Sequence, residues 1–223
     1  MIQATGLVKY YRDGDREVRP LDGVDFRCER GEFVLILGRS GSGKTTLLNI
    51  LGGLARPAQG SVRVDGKEIL TLPDTECAAL RSRTIGFVFQ FPGLVSTLTA
   101  GENVVLPSDL VGAKSGEGDA ARRAAQLLEV VGLAGKAGRF PSRLSDGELK
   151  RTAIARALMN RPAVILADEP TADLDAETER KIMELFSRIN REGTTIVMVT
   201  HNTDLIPYAS RVLCMENGKL SPA

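Results

Sequence analysis

Short continuous runs of apolar residues alternate with helical periods along this chain. Residues 32–37, 85–89, 164–167 and 196–199 form such runs, which are typical of strands buried on both faces of a sheet. Between the last two runs, apolar residues recur at the i, i+3, i+4, i+7 spacing of one helix face, at Ile182, Leu185, Phe186 and Ile189. Strand, helix and strand in this order predict a mostly parallel sheet flanked by helices, an α/β fold.

The first third of the chain has a different pattern. Short strand candidates at 2–7, 24–28 and 61–64 are separated by turn residues such as Asp13-Gly14 and Asp65-Gly66. Turns of this kind favour hairpins. We therefore expect an N-terminal antiparallel β-flank beside the parallel core.

The middle of the chain, about residues 91–160, contains no strand signal. Its pattern predicts helices at about 119–131 and 147–160, with a loop rich in Gly and Ser at 112–118. This stretch indicates an α-helical subdomain inserted in the α/β core. The sequence thus predicts a single domain over residues 1–223.

A glycine-rich loop follows the first buried strand. Gly38-Arg39-Ser40-Gly41-Ser42-Gly43-Lys44-Thr45 fits the pattern G-x-x-x-x-G-K-[ST], and Thr46 and the apolar face of a helix come next. Glycines let successive backbone N–H groups turn towards a polyphosphate, and a helix N-terminus adds positive partial charge. Lys44 would reach the β- and γ-phosphates, and the Thr45 hydroxyl would bind Mg²⁺. The alternative is a glycine-rich turn that contains a lysine by chance and binds no phosphate.

Two acids follow the buried run 164–167. Asp168 and Glu169 are placed at the carboxyl end of a strand, which is the edge of a parallel sheet where ligands bind. Asp168 is positioned to hold Mg²⁺, and Glu169 could accept a proton from an attacking water. An acidic turn after a strand is the alternative. Beside a phosphate loop, the acids favour nucleotide hydrolysis.

The third candidate motif is Leu144-Ser145-Asp146-Gly147-Glu148. Ser145 followed three residues later by Glu148 is a capping-box pattern, which by itself marks only a helix start. A hydroxyl and free N–H groups at a helix start also bind anions.

Composition narrows the function classes. The net charge of +1, an aromatic content of 4% and the absence of Trp argue against a nucleic-acid partner. Cys28, Cys77 and Cys214 are widely spaced, and we expect reduced thiols. No apolar run approaches the roughly 18 residues that span a bilayer, so any membrane association would come through a partner.

Together these motifs resemble an ATP-binding-cassette (ABC) transporter ATPase subunit, over essentially the whole chain. The loop 38–45 is similar to the family's Walker A motif, residues 163–169 to its Walker B, and residues 144–148 to its signature motif. Further positions that match the family are the Q-loop glutamine Gln90, the D-loop 171–175, the switch histidine His201, and an adenine-stacking aromatic at Tyr11, with Tyr10 as the alternative.

The resemblance implies a mechanism. Two copies pair head to tail with ATP and Mg²⁺ at the interface, and Ser145 and Gly147 of one copy cover the ATP held by the other. Glu169, His201 and Gln90 would serve hydrolysis, with Gln90 also near the metal. The segment Phe91-Pro92-Gly93-Leu94 would face integral membrane permease subunits.

Residues 47–54 and 87–90 resemble the lipoprotein-release, macrolide-export and cell-division group. This likeness implies a cytoplasmic subunit, peripheral on the inner face of the cell membrane, that powers export or extraction of extracytoplasmic cargo. An ATP-gated regulatory module that moves no substrate is the alternative, and a P-loop enzyme such as a kinase is disfavoured by the signature motif. Asp146 departs from the family's usual glycine and would bring a carboxylate near the partner's ATP unless Arg143 or Lys150 holds it.

Overall fold

The computed structural model describes residues 1–13, 16–110 and 117–223, and within them it contains two β-sheets and six α-helices. The small sheet contains β1 (Ile2–Asp13), β2 (Arg16–Cys28), β4 (Gln59–Val64) and β5 (Lys67–Glu68). The large sheet contains β3 (Phe33–Leu37), β6 (Ile85–Val88), β7 (Val164–Asp168), β8 (Thr195–Thr200), β9 (Arg211–Glu216) and β10 (Lys219–Pro222). The helices are α1 (Lys44–Leu51), α2 (Asp74–Thr84), α3 (Ala100–Leu110), α4 (Glu117–Val130), α5 (Asp146–Ala157) and α6 (Ala176–Arg191).

The strand order of the large sheet is β10-β9-β3-β8-β7-β6, and every neighbouring pair is parallel except β10 with β9. The register aligns Leu37 with Thr200 and Asp168 with Val199. The strands β3, β7 and β8 therefore end side by side, and the loops that follow them meet at one edge of the sheet.

Two apolar clusters cover the two faces of this sheet. Alternate residues of β3 point to opposite sides, since Val34 and Ile36 belong to one cluster and Phe33, Leu35 and Leu37 to the other. The first cluster also contains buried residues of α1 and the antiparallel sheet, whereas the second contains residues from α3 to α6. Burial on both faces explains why these strands read as continuous apolar runs.

The predicted α/β fold with an antiparallel flank is confirmed. The four predicted strands of the parallel core are present, and all four apolar positions of α6 are buried. The three cysteines are free thiols. The predicted turn at Gly14 lies outside the described residues, as does the predicted loop up to residue 116, and α4 begins at Glu117, two residues earlier than expected.

The sequence pattern missed several elements. Neither α2 nor α3 was predicted, and β9 and β10 extend the large sheet beyond the four core strands. α2 has no buried residue and hence no apolar stripe to detect, while Pro107 lies inside α3 where a proline usually signals a helix end. α5 ends at Ala157 instead of residue 160, and β1 and β2 are longer than predicted, with register shifts along their pairing.

Candidate nucleotide-binding and hydrolysis site

The loop between β3 and α1 has the backbone of a phosphate cradle. Gly43 has a φ of 109°, and a Cβ added there would lie 2.0 Å from the carbonyl oxygen of Pro20. Only glycine therefore fits this position. The loop lines a cavity of about 410 Å³ together with the segment Met215–Asn217.

Lys44 lies at the start of α1 and is only 6% exposed. Its Nζ donates hydrogen bonds to the carbonyl oxygens of Gly38 at 2.6 Å and Arg39 at 3.1 Å. The same Nζ lies 3.5 Å from Oε1 of Glu169. The ammonium group thus joins the phosphate loop to the acid that follows β7.

Glu169 is held in place by the last residue of β8 and the residue after it. Its Oε2 accepts a hydrogen bond of 2.9 Å from the Thr200 hydroxyl, and its Oε1 lies 3.1 Å from Nδ1 of His201. Its backbone has a φ of 44°, a left-handed conformation that costs about 1–3 kcal/mol for a residue other than glycine. Strain of this kind persists only where neighbouring contacts fix the residue, as they do here.

The Asp168 carboxylate fits a cation-binding role. Burial raises its pKa, and the Glu169 charge adds to this, whereas a hydrogen bond from Thr45 and the charge of Lys44 oppose it. Its Oδ1 is buried without a hydrogen-bond partner, and so is the hydroxyl of Ser42. No cluster of three His, Cys, Asp or Glu side chains suited to a metal occurs in the described ranges. One carboxylate and the hydroxyls, completed by phosphate oxygens, match the way proteins bind Mg²⁺.

The signature segment forms the start of α5. Ser145 is the N-cap, and its backbone N–H donates to Oε2 of Glu148 at 3.1 Å, which confirms the capping-box interpretation. A Cβ added at Gly147 would lie 2.7 Å from Cγ2 of Thr178, so glycine permits close packing of α5 on α6. No hydrogen bond within the described part of the chain joins Ser145 or Gly147 to the phosphate loop.

Gln90 and the two candidate tyrosines lie outside this contact network. Gln90 is exposed, two residues after β6. Tyr11 and Tyr10 are 50% and 44% exposed, and Nζ of Lys9 lies 5.1 Å from the centroid of the Tyr11 ring. The choice between the tyrosines stays a prediction.

Thr200 is a site residue that the sequence interpretation missed. It is 1% exposed, and its hydroxyl donates to Glu169 and accepts from the backbone N–H of Asn202 at 3.1 Å. A threonine at the end of a β-strand carries no signal of its own. Its role follows only from the register that places the end of β8 beside β7.

Thr200→Val is expected to lower the kcat of ATP hydrolysis about fivefold, since it removes one of the hydrogen bonds that orient Glu169, typically worth about 1 kcal/mol. The affinity for ATP should not change, because the Thr200 carbonyl oxygen, which accepts a hydrogen bond from the backbone N–H of Gly38 in the phosphate loop, is kept in the variant. Phosphate release and equilibrium ATP binding measure the two effects. Thr195→Val is the matched control, because this buried hydroxyl lies at the other end of the same strand. Equal losses of kcat in both variants would contradict the role of Thr200.

The glycine loop after the first core strand, the buried Lys44 and the acids at the end of β7 define a P-loop nucleoside triphosphatase. Residues 21–172 match the ABC transporter family, and relatives of about 45% identity align over nearly the whole chain. The chain therefore belongs to the ABC transporter family of ATPases, as the motifs predicted.

Two relatives illustrate the match. The lipoprotein-releasing system ATP-binding protein LolD of Bordetella pertussis is 46% identical over 99% of this chain and 95% of its own length. The macrolide export ATP-binding/permease protein MacB of Rhodopirellula baltica is 46% identical over 98% of this chain. This chain spans only 32% of that protein.

Solved structures agree with the fold. The dimeric ATP-binding cassette MJ0796, bound to ADP and Pi, superposes with a TM-score of 0.92 at 41% identity, over 99% of this chain and 96% of that one. CbiO1 from Clostridium perfringens, part of the transporter complex cbiONQ, superposes with a TM-score of 0.85 at 33% identity, over 98% and 86%. These matches confirm the fold of an ABC ATPase cassette.

Proposed function

We propose that this chain hydrolyses ATP at the site around Glu169 and uses the energy to drive a membrane permease partner. The observation that carries the proposal is the placement of Glu169 between Lys44 of the phosphate loop, Thr200 and His201. Residues 38–46 would bind the phosphates, Glu169 would accept the proton of the attacking water, and His201 would contact the transferred phosphate.

A Mg²⁺ ion would have ligands at this site. The Thr45 hydroxyl and Asp168 would hold it, and Gln90 would approach it from the segment after β6. The cation would neutralise negative charge on the β- and γ-phosphates. The buried, unpaired Oδ1 of Asp168 supports this assignment.

A head-to-tail homodimer would complete the site. Ser145 and Gly147 lie in a segment without hydrogen bonds to the phosphate loop of their own chain, so a second copy would bring them to the ATP. The dimeric structures of MJ0796, at 41% and 42% identity, support this arrangement. Tyr11 is the proposed support for the adenine ring.

The partner would be a permease and the cargo extracytoplasmic, by analogy with the relatives named for lipoprotein release and macrolide export. No helix in the described ranges is long and apolar enough to cross a membrane. Attachment to the inner face of the cell membrane would then depend on a protein contact.

A groove between the helices and the large sheet suits this contact. Its cavity of about 770 Å³ is lined mainly by apolar groups. Its exposed members include Leu54, Phe89 and Leu110. Phe89 stacks on Phe87 with the ring centroids 5.4 Å apart. Within the predicted docking segment 91–94, Gly93 lines the groove, and Phe91, two residues earlier in the chain, is 76% exposed.

Leu54→Glu and Phe89→Glu are expected to weaken association with the permease about tenfold or more, because each places a charge in an apolar contact. ATP hydrolysis by the isolated chain should stay near the wild-type rate. Co-purification with the permease and phosphate release measure the two properties. Val130→Glu is the matched control, because Val130 is equally exposed but lies outside the groove.

Undiminished association of both groove variants would remove this surface from the interface. Loss of hydrolysis together with association would show that the substitutions damage the fold instead. A wild-type chain that releases no phosphate from ATP, either alone or together with the permease, would contradict the proposed function itself.

A further inference from the structure

Lys150 lies in the first part of α5 and points at the turn that follows β7. It is only 7% exposed, and its Nζ donates a hydrogen bond to the carbonyl oxygen of Ala172. The backbone N–H of Ala172 donates to the carbonyl oxygen of Glu169 at 3.1 Å. One peptide segment is therefore held from two sides, by the acid at the end of β7 and by the lysine of α5.

The turn itself is conformationally demanding. Glu169 has a φ of 44° and Asp173 a φ of 62°, and neither residue is glycine. Such conformations persist only where surrounding contacts determine them. The bond from Lys150 is a side-chain contact that reaches this turn from another helix, so it helps to set where the Glu169 carboxylate lies.

The charges near Lys150 also link it to the turn after β7. Burial lowers its pKa, while the carboxylates of Asp173, Asp146 and Glu169 oppose that effect. Asp146 makes no ion pair within 4 Å in the described part of the chain, and its charge favours the ammonium form of Lys150. Carboxylates of the signature segment, the strand end and the turn thus all favour the charged form of Lys150, the form that donates to Ala172.

We propose that Lys150 is a positioning residue, which couples the start of α5 to the backbone of Glu169, and so to the position of its carboxylate, through the carbonyl and N–H groups of Ala172. This inference rests on the role proposed for Glu169 in hydrolysis. A shift of the signature segment, which begins α5, would move Lys150 and with it the turn. Lys150 donates to no residue of the phosphate loop, so it would act on the rate of hydrolysis and leave ATP binding unchanged.

The test compares Lys150→Met with Lys150→Gln. Met keeps the apolar stem but has no donor, and we expect kcat to fall about tenfold, a moderate effect for a misplaced catalytic group. The KM and the equilibrium Kd for ATP should stay within about twofold. Lys150→Gln retains an N–H donor without the charge, and it should recover kcat to within about threefold of wild type.

Thermal stability separates positioning from a structural role. Lys150→Met leaves the carbonyl oxygen of Ala172 without this donor, so we expect a modest fall in melting temperature, and the kcat is compared at a temperature where the variant and the wild type are both folded. Lys181→Met is the control for loss of a lysine charge, because Lys181 is exposed on α6 and pairs with Glu177 outside the site. Its kcat should stay within about twofold of wild type.

A wild-type kcat in Lys150→Met would overturn the inference, and so would a kcat that falls only in step with a lower melting temperature. A Kd for ATP that rises by the same factor as kcat falls would also overturn it. So would a Lys150→Gln variant that is as slow as Lys150→Met. The kcat of Glu169→Gln distinguishes failure of the role proposed for Glu169 from failure of the role proposed for Lys150. If Glu169→Gln hydrolyses ATP at the wild-type rate, the proposed role of Glu169 fails. If it is inactive while Lys150→Met is fully active, only the role of Lys150 fails.

Discussion

Glu169→Gln is expected to lower the kcat of ATP hydrolysis about 10²–10⁴-fold, the usual contribution of a general base. The amide has the shape of the carboxylate and can still accept the hydrogen bond from Thr200, but it cannot take the proton of the attacking water. ATP binding should be retained, because the phosphate loop and Lys44 are unchanged. Phosphate release at saturating ATP and equilibrium binding measure the two properties.

The same variant should accumulate a dimer in ATP, since closed pairs form and do not turn over. Light scattering with and without ATP detects this change in mass. Glu184→Gln is the matched control, because its carboxylate is exposed on α6 and pairs with Arg180 outside the site. Retention of more than about a tenth of wild-type kcat in Glu169→Gln would argue against a general base at this position.

The parts of the site that the sequence predicted are those encoded locally. The phosphate loop is a contiguous stretch whose glycines, Lys44 and flanking strand and helix appear in one window. Asp168 and Glu169 follow a buried run directly. The edge of the sheet where these elements meet also followed from the sequence, because parallel strands end on the same side.

Contacts between distant segments could not be predicted in this way. Thr200 is 31 residues from Glu169 and Lys150 is 22 residues from Ala172, and neither residue type marks a site. Their roles depend on the β7–β8 register and on the packing of α5 against the turn. Both are tertiary properties without a periodic signature.

The docking groove could not be predicted from the sequence either. An exposed segment at 91–94 was predicted from the family resemblance, but the groove is built from α2, α3, β6 and the end of α5 as well. The helix α2 has no apolar stripe, and Pro107 obscures α3. A concave surface assembled from elements that the pattern does not reveal cannot be read from the sequence.

Lys44→Ala is expected to weaken ATP binding about 10- to 100-fold, as loss of a charge-assisted hydrogen bond of about 1.5–3 kcal/mol implies. The ammonium is buried and already placed by the carbonyl oxygens of Gly38 and Arg39, so little ordering is needed when phosphate approaches. Lys44→Arg should not restore affinity, because a larger planar guanidinium does not fit a position that is 6% exposed. Calorimetric titration with ATP measures each Kd.

Arg39→Ala is the matched control for the loss of one positive charge from the same loop. Its side chain is exposed, so its interaction with the phosphates is screened by solvent, and we expect its Kd to stay within about threefold of wild type. An equal loss of affinity in both variants would indicate that the net charge of the loop matters, and not the position of Lys44. Wild-type affinity in Lys44→Ala with a reduced kcat would instead assign Lys44 to the transition state alone, because a contact made only there lowers kcat without weakening the binding of ATP.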